Sequence, residues 1–134
     1  MKLLRPSMEY KQQILEYKNE FMQNGDDLAG TSYLQKYDVY EEWMKFVLDN
    51  EKEGTKHTEV TASVFLAIRE EDNKLVGMIN IRHTLNGYLY NFGGHIGYSV
   101  RKTERRKGYA KEMLKVALAE CRKLEINKIL LTYN

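Results

Sequence analysis

The sequence has 134 residues, a length typical of one domain, with 43% hydrophobic and 30% charged residues, as in ordinary globular proteins. Its net charge of +2 gives no argument for wholesale binding to nucleic acid or to an anionic membrane. The single cysteine excludes an intramolecular disulfide, and the three histidines lack a metal-binding spacing, which argues against a metal site. No apolar segment is long enough for a signal peptide or a membrane span, so we expect a cytoplasmic protein.

The first half of the sequence predicts a short strand and two helices. Leu3–Arg5 has the character of a strand and ends at the only proline. Ser7 is a suitable N-cap for a first helix, whose apolar residues recur every three or four positions, and Gly25 is a suitable C-cap. A second helix begins near Asp38, with Glu41 completing a capping-box pattern.

Strands dominate the second half until a last helix. Ser63–Arg69 and Leu75–Arg82 are apolar and flank a polar turn, which predicts a hairpin. A further extended segment ends at Val100, and its glycines predict a bulge or a close backbone approach. Gly108–Leu124 has the periodicity of an amphipathic helix, and Lys128–Tyr133 follows as a buried strand. This order predicts an α+β or α/β domain with at least one parallel strand pair.

The most informative segment joins the strand ending at Val100 to the last helix. It holds six basic side chains from Arg101 to Lys111 against one carboxylate, Glu104. The first turn of a helix has unpaired N–H groups, and Gly108 lets an anion approach them closely. These features predict a site for a phosphorylated ligand. The alternative is a solvated run of charge at a helix start, in which Glu104 pairs with a neighbouring arginine.

Part of this segment resembles the R/Q-x-x-G-x-G/A motif of the GCN5-related N-acetyltransferases (the GNAT superfamily). The six matching residues are Arg105, Arg106, Lys107, Gly108, Tyr109 and Ala110. The preceding residues, Tyr98, Ser99 and Val100, resemble the end of that family's fourth strand. The resemblance covers essentially the whole chain and implies a single α+β, three-layer domain with a mixed central sheet. Residues 1–60 would then form the acceptor side, and residues 61–134 the coenzyme side.

The resemblance implies transfer of an acetyl group from acetyl-coenzyme A to the primary amine of a small molecule or peptide, directly in a ternary complex. Loop amides within Arg105–Ala110 would cradle the pyrophosphate, and the backbone of Tyr98–Val100 would pair with the pantetheine arm. The sequence stops at Asn134, before the last helix and strands of the family. Either the chain is a fragment, or a partner chain completes its sheet, as in a homodimer. The alternative function is a non-catalytic coenzyme-binding or oligomerisation module.

Two residues are candidates for proton transfer. His95 lies near the expected position of the acetyl group and has a side chain suited to a general base; the alternative is a histidine bonded to a neighbouring strand. Tyr98 would act as an acid if its side chain faces the cleft, and would otherwise pack in the core. On the acceptor side, Tyr33, Tyr37 and Tyr40 would either form aromatic walls for an amine or pack in the ordinary way.

Overall fold

The computed structural model describes residues 1–51, 62–82 and 96–123. Its strands and helices in chain order are β1 (Lys2–Leu4), α1 (Lys11–Asn24), α2 (Tyr40–Asn50), β2 (Ala62–Arg69), β3 (Lys74–Arg82), β4 (Ile96–Val100) and α3 (Tyr109–Lys123). The strands form one antiparallel sheet in the order β1-β2-β3-β4. The parallel pair predicted from the strand at Lys128–Tyr133 lies outside the described residues. No described helix has the length and apolar character needed to cross a membrane.

Helices cover both faces of this sheet. α1 and α2 pack on one face, in a buried cluster of Tyr10, Ile14, Tyr17, Phe21, Leu28, Leu34, Tyr40, Trp43, Val47, Val64, Leu66, Ile68, Leu75 and Met78. α3 packs on the other face, in a cluster of Phe65, Ala67, Val76, Ile79, Ile81, Ile96, Val100, Met113 and Ala117. Successive strand side chains alternate between the two faces, so β2 and β3 contribute to both clusters. This arrangement confirms the predicted α+β class.

The predicted hairpin is β2 and β3, with one irregularity. Ala67 pairs with Gly77 and Ile68 pairs with Leu75, so Val76 is an extra residue that forms a β-bulge. The carbonyl of Val76 accepts a 2.8 Å hydrogen bond from the N–H of Arg101, the residue after β4. The bulge therefore supports the start of the loop between β4 and α3.

The end of the first helix agrees with the sequence, but its start does not. A 3-10 turn follows Ser7, whose side chain makes no capping bond, and α1 begins only at Lys11. At the other end Gly25 is the C-cap, with a φ of 68° and its N–H directed at the carbonyls of Phe21 and Met22. The backbone of the 3-10 turn therefore replaces the predicted Ser7 cap.

The capping box predicted for the second helix is wrong. α2 begins at Tyr40, its N-cap is Val39, and no side chain caps it. The Glu41 carboxylate instead lies 2.9 Å from the ammonium of Lys11 on α1, and this hydrogen bond lowers the pKa of Glu41. A contact between two helices thus replaces the local one that the sequence suggests.

Tyr17 should make the fold sensitive to alkaline pH. It is fully buried, its hydroxyl lies 2.9 Å from that of Ser99, and burial raises its pKa well above the ordinary value of 10.0. Above pH 10 the unfolded chain ionises at this residue while the folded chain does not, so the free energy of unfolding should fall by ~1.4 kcal/mol per pH unit. Burial also raises the pKa of Tyr40, to about 12.

Urea unfolding between pH 9 and pH 11 measures this slope. Tyr17→Phe should lower the free energy of unfolding by ~1 kcal/mol at pH 7, because the hydrogen bond is lost. The free energy of unfolding of this variant should fall less steeply with pH than that of the parent chain. Equal slopes in the two proteins would show that Tyr17 does not stay neutral in the fold.

Candidate functional site

The loop between β4 and α3 ends at a helix N-terminus with free donors. Gly108, just before α3, has a φ of +84°, and a Cβ added there would meet no atom within 4 Å. The first turn of α3 is closed by the N–H of Glu112, which donates to the carbonyl of Gly108 at 3.1 Å. The N–H groups of Tyr109, Ala110 and Lys111 therefore have no partner within the helix. Such a terminus, open at a glycine, favours an anion.

The basic residues of this segment fall into two equal groups. Three of them are ion-paired: Arg101 with Glu20, Arg105 with Asp26 and Lys107 with Glu104. Three others are exposed and make no ion pair with any residue that the structure describes: Lys102, Arg106 and Lys111. Half of the positive charge predicted for the segment is thus balanced within the fold, and the other half is open to a ligand.

Arg105, the first residue of the motif, holds the loop against α1. Its Nε donates to the carbonyl of Val100 at 2.9 Å, and its Nη2 lies 3.2 Å from Asp26, just past the end of α1. The guanidinium also lies 5.6 Å from the centre of the Phe21 ring. The side chain of Arg105 is therefore an anchor between the loop and α1.

Glu104 does not lie in a solvated loop, as the sequence suggested, because it is only 4% exposed. Its carboxylate accepts hydrogen bonds from Arg69 at 2.7 Å and from Lys74 and Lys107 at 3.1 Å. Burial opposes its ionisation, but these three bonds outweigh burial and hold the pKa of Glu104 at about 2. The predicted pairing with an arginine is present, yet that arginine lies 35 residues away at the end of β2.

Arg69 is a residue of this region that sequence reasoning missed. Its Nη1 donates both to Glu104 and, at 3.1 Å, to the hydroxyl of Tyr109, so one side chain holds both ends of the loop. Its other nitrogens bind Asp72 at 2.7 and 2.9 Å, and these bonds lower the pKa of Asp72 to about 2. An arginine at the end of a strand is unremarkable in sequence, and only the fold brings it to the loop.

β4 is an edge strand among the residues that the structure describes. One edge of its backbone pairs with β3, and no strand within residues 1–51, 62–82 and 96–123 pairs with the other edge. The side chain of Ser99 faces α1, where it bonds Tyr17. The side chains of Tyr98 and Val100 lie on the other face, against the cluster under α3. Within these ranges, the backbone groups along the second edge of β4 are therefore open to another extended chain.

The segment between α1 and α2 lies directly on β4. A Cβ added at Gly30, which has a φ of +76°, would fall 2.6 Å from the carbonyl oxygen of Gly97 and 2.7 Å from the Cα of Tyr98. This contact is the close backbone approach that the glycines of β4 predicted. It brings the acceptor side of the chain into direct contact with β4.

The three tyrosines of the acceptor side have different surroundings. Tyr40 is buried, and its hydroxyl donates to the carbonyl of Ser7 at 2.6 Å. Tyr37 stacks on Phe46 with ring centres 5.9 Å apart. Tyr33 is 52% exposed, and its neighbour Lys36 places its ammonium 5.0 Å from the ring centre. Only Tyr33, of these three, presents a largely open ring. The other proton-transfer candidate, His95, lies outside the described residues.

Comparison with known proteins identifies the family of this chain. The sequence model of the acetyltransferase (GNAT) family matches residues 19–134, which include β4, the loop and α3. Searches of the curated proteins and of the solved structures found no match. The family match covers well over half of the chain and includes the predicted motif. This chain therefore belongs to the GNAT family of acetyltransferases.

Proposed function

We propose that this protein transfers the acetyl group of acetyl-coenzyme A to the primary amine of a small molecule or peptide, directly in a ternary complex. Membership of the GNAT family supports acyl transfer in general. The observation that carries the more specific proposal is the start of α3, which follows β4 in the chain. There Gly108 is bare, and the first N–H groups of the helix and the Arg106 side chain have no partner among the described residues.

Two parts of the coenzyme, the pyrophosphate and the pantetheine arm, have a chemical counterpart at this site. The pyrophosphate suits the N–H groups at the start of α3 and the positive charges of Arg106 and Lys111. The pantetheine arm is an extended chain with amide groups, which suits strand-like pairing with the open edge of β4. We therefore assign coenzyme binding to Tyr98, Ser99, Val100, Arg105, Arg106, Lys107, Gly108, Tyr109 and Ala110.

The chain's contribution to the reaction is positioning and charge stabilisation. The amine forms a bond to the thioester carbonyl carbon, the carbon–sulfur bond breaks, and the amine loses a proton to a base or a water chain. A backbone N–H of β4 would stabilise negative charge on the carbonyl oxygen, and binding both substrates side by side would hold them in attack geometry. His95 as base and Tyr98 as acid complete the proposal. Tyr98 packs under α3 but is only partly buried, so the acid role requires its hydroxyl to reach the departing sulfur from that face.

The contact of Gly30 with β4 supports an acceptor site beside the thioester. Tyr33 follows closely in the same segment, and the Lys36 ammonium 5.0 Å from its ring centre occupies a position that an amine substrate could take. A cationic amine of a small molecule or peptide is therefore the acceptor class that suits this face.

Calorimetric titration of the chain with acetyl-coenzyme A tests the binding. We expect one saturable site with an affinity of about 1–100 µM, which corresponds to roughly −8 to −5.5 kcal/mol. ADP should bind more weakly, because it carries the pyrophosphate without a chain that can pair with β4. The absence of any binding heat and of any competition between acetyl-coenzyme A and ADP would refute the proposal.

Release of free thiol from acetyl-coenzyme A in the presence of a panel of amines tests the reaction. Amine-dependent release is expected for a transferase. Saturable coenzyme binding without release by any amine would instead identify a non-catalytic coenzyme-binding module.

A further inference from the structure

We propose that Glu104 and Arg69 are positioning residues that hold the coenzyme loop in its anion-binding shape by clamping both of its ends. This inference rests on the proposed function, because it names the residues that prepare that same site. Neither residue is one of the binding residues assigned above. Both residues act on the loop through side-chain hydrogen bonds with Lys107 and Tyr109.

The clamp joins three separate parts of the chain. We call residues 105–108 the coenzyme loop. Glu104 stands immediately before these residues, and Tyr109 begins the helix after them. Arg69, at the end of β2, bonds the Glu104 carboxylate at 2.7 Å and the Tyr109 hydroxyl at 3.1 Å. Lys107, within the loop, bonds the same carboxylate at 3.1 Å. The beginning, middle and end of the loop are therefore tied to one ion pair, in which Glu104 is buried and Arg69 is partly buried.

Two further residues, Asp72 and Lys74, fix the positions of Arg69 and Glu104. Asp72, in the turn after β2, binds two further nitrogens of Arg69 at 2.7 and 2.9 Å, which fixes the plane of the guanidinium. Lys74, at the start of β3, binds the second oxygen of Glu104 at 3.1 Å. With both groups saturated by partners on the sheet, a shift of the loop would break several charged hydrogen bonds at once.

The backbone of the loop needs such a support. Arg106 has a φ of +64°, a left-handed conformation that is unfavourable for a residue with a side chain, and Gly108 follows with a φ of +84°. No helix or strand includes residues 105–108, so tertiary contacts must hold this shape. The clamp supplies them on either side of the two unusual residues.

The variant Glu104→Gln distinguishes a positioning role of Glu104 from a purely electrostatic effect on coenzyme affinity. Glu104→Gln removes a negative charge beside a site for a polyanion, so a purely electrostatic role predicts tighter binding of acetyl-coenzyme A. A positioning role predicts weaker binding, because a neutral amide cannot hold Arg69, Lys74 and Lys107 as the carboxylate does. We expect the dissociation constant to rise about tenfold, and KM for acetyl-coenzyme A with it, while kcat stays within about twofold.

Glu71→Gln is the matched control, because it removes the same charge from an exposed residue of the turn after β2. It should leave coenzyme affinity within about twofold of the parent value. Unchanged or tighter binding by folded Glu104→Gln would overturn the proposal, as would an equal weakening by Glu71→Gln.

Tyr109→Phe tests the other end of the clamp and does not require a change of charge. It removes the hydroxyl that accepts from Arg69 and should weaken coenzyme binding about threefold. Because both variants act through Arg69, their effects should be less than additive in the double variant. If Glu104→Gln does not fold, unchanged binding by Tyr109→Phe overturns the proposal alone.

Amide hydrogen exchange in the free chain gives a result that does not depend on the coenzyme. Residues 105–110 should exchange about tenfold faster in Glu104→Gln than in Glu71→Gln, with β2 and β3 unchanged. A parent chain that fails to bind acetyl-coenzyme A refutes the proposed function, and the exchange rates then decide the clamp by themselves. Equal loop exchange in the two variants would refute the clamp.

Discussion

Replacing Gly108 with alanine should weaken acetyl-coenzyme A binding about tenfold, and replacing it with valine should weaken binding about a hundredfold. In the free chain a Cβ at this position meets nothing within 4 Å, so it would project into open space at the start of α3. That is the space in which a phosphate must lie to reach the N–H groups of Tyr109 and Ala110. A methyl group there would lengthen or break charged hydrogen bonds, each of which contributes roughly 1.5–3 kcal/mol.

Gly25→Ala separates this blocking effect from backbone strain. Gly25 also has a positive φ, of +68°, and also has nothing within 4 Å of an added Cβ, but it lies at the C-terminus of α1. Both alanine variants should lose about 1 kcal/mol of stability, because alanine is strained in the left-handed region. Only Gly108→Ala should lose coenzyme affinity in a calorimetric titration. A similar loss in both variants would mean that strain, and not access to the N–H groups, sets the affinity.

The largest loss of stability is expected from Gly30→Ala, at about 3 kcal/mol. Its Cβ would fall 2.6 Å from the carbonyl oxygen of Gly97 and 2.7 Å from the Cα of Tyr98. Both are backbone atoms of β4, which is hydrogen-bonded to β3 and cannot move aside without breaking the ladder. The φ of +76° adds the strain of a left-handed alanine. Urea unfolding gives the change in the free energy of unfolding.

Gly97→Ala probes the same contact from the other side and should cost less than about 1 kcal/mol. A Cβ at Gly97 would lie 3.8 Å from the Gly30 nitrogen, which is ordinary van der Waals contact, and the φ of Gly97 is not positive. The difference between Gly30→Ala and Gly25→Ala then isolates the steric part of the penalty. Equal costs for Gly30→Ala and Gly97→Ala would show that the two segments are not packed as closely as described.

If Gly30→Ala remains folded, its activity should report on the acceptor side. The substitution pushes the segment that carries Tyr33 away from β4, so the two substrates would lie farther apart. We expect kcat to fall about a hundredfold while coenzyme affinity, set by the loop before α3 and by β4, changes by less than about threefold, because β4 stays paired with β3. A loss of coenzyme affinity as large as the loss of kcat would place the effect of Gly30 in the coenzyme site instead.

Local patterns determined those parts of the fold that depend on neighbours in sequence. Apolar runs around a polar turn predicted the β2–β3 hairpin, and three-to-four-residue periodicity predicted α1, α2 and α3. Local patterns also predicted Gly25 as the C-cap of α1 and Gly108 at the start of α3. Each of these glycines has a positive φ, a backbone conformation that favours glycine at that one position. The family resemblance of the loop, which the family match supports, also rests on consecutive residues.

Local patterns failed where two elements compete for the same side chain. Ser7 and Asp38 are residue types that often cap helices. In the structure a 3-10 turn follows Ser7, whose side chain makes no capping bond, and the N-cap of α2 is Val39 and not Asp38. The Glu41 carboxylate forms an ion pair with Lys11 of α1 and does not take part in the predicted capping box of α2. For Glu41 a contact with another helix decided the outcome, and sequence spacing carries no information about such contacts.

What only the tertiary structure decided is how the site is supported. The sequence by itself determined that a basic loop precedes a helix and opens at Gly108, because motif and helix start are contiguous. It did not determine that Glu104 is buried, since its partner Arg69 lies 35 residues away and meets it only when β2, β3 and β4 align. Nor did it determine which basic residues remain free for a ligand. Ion pairing depends on distances in space, and the folded sheet sets those distances.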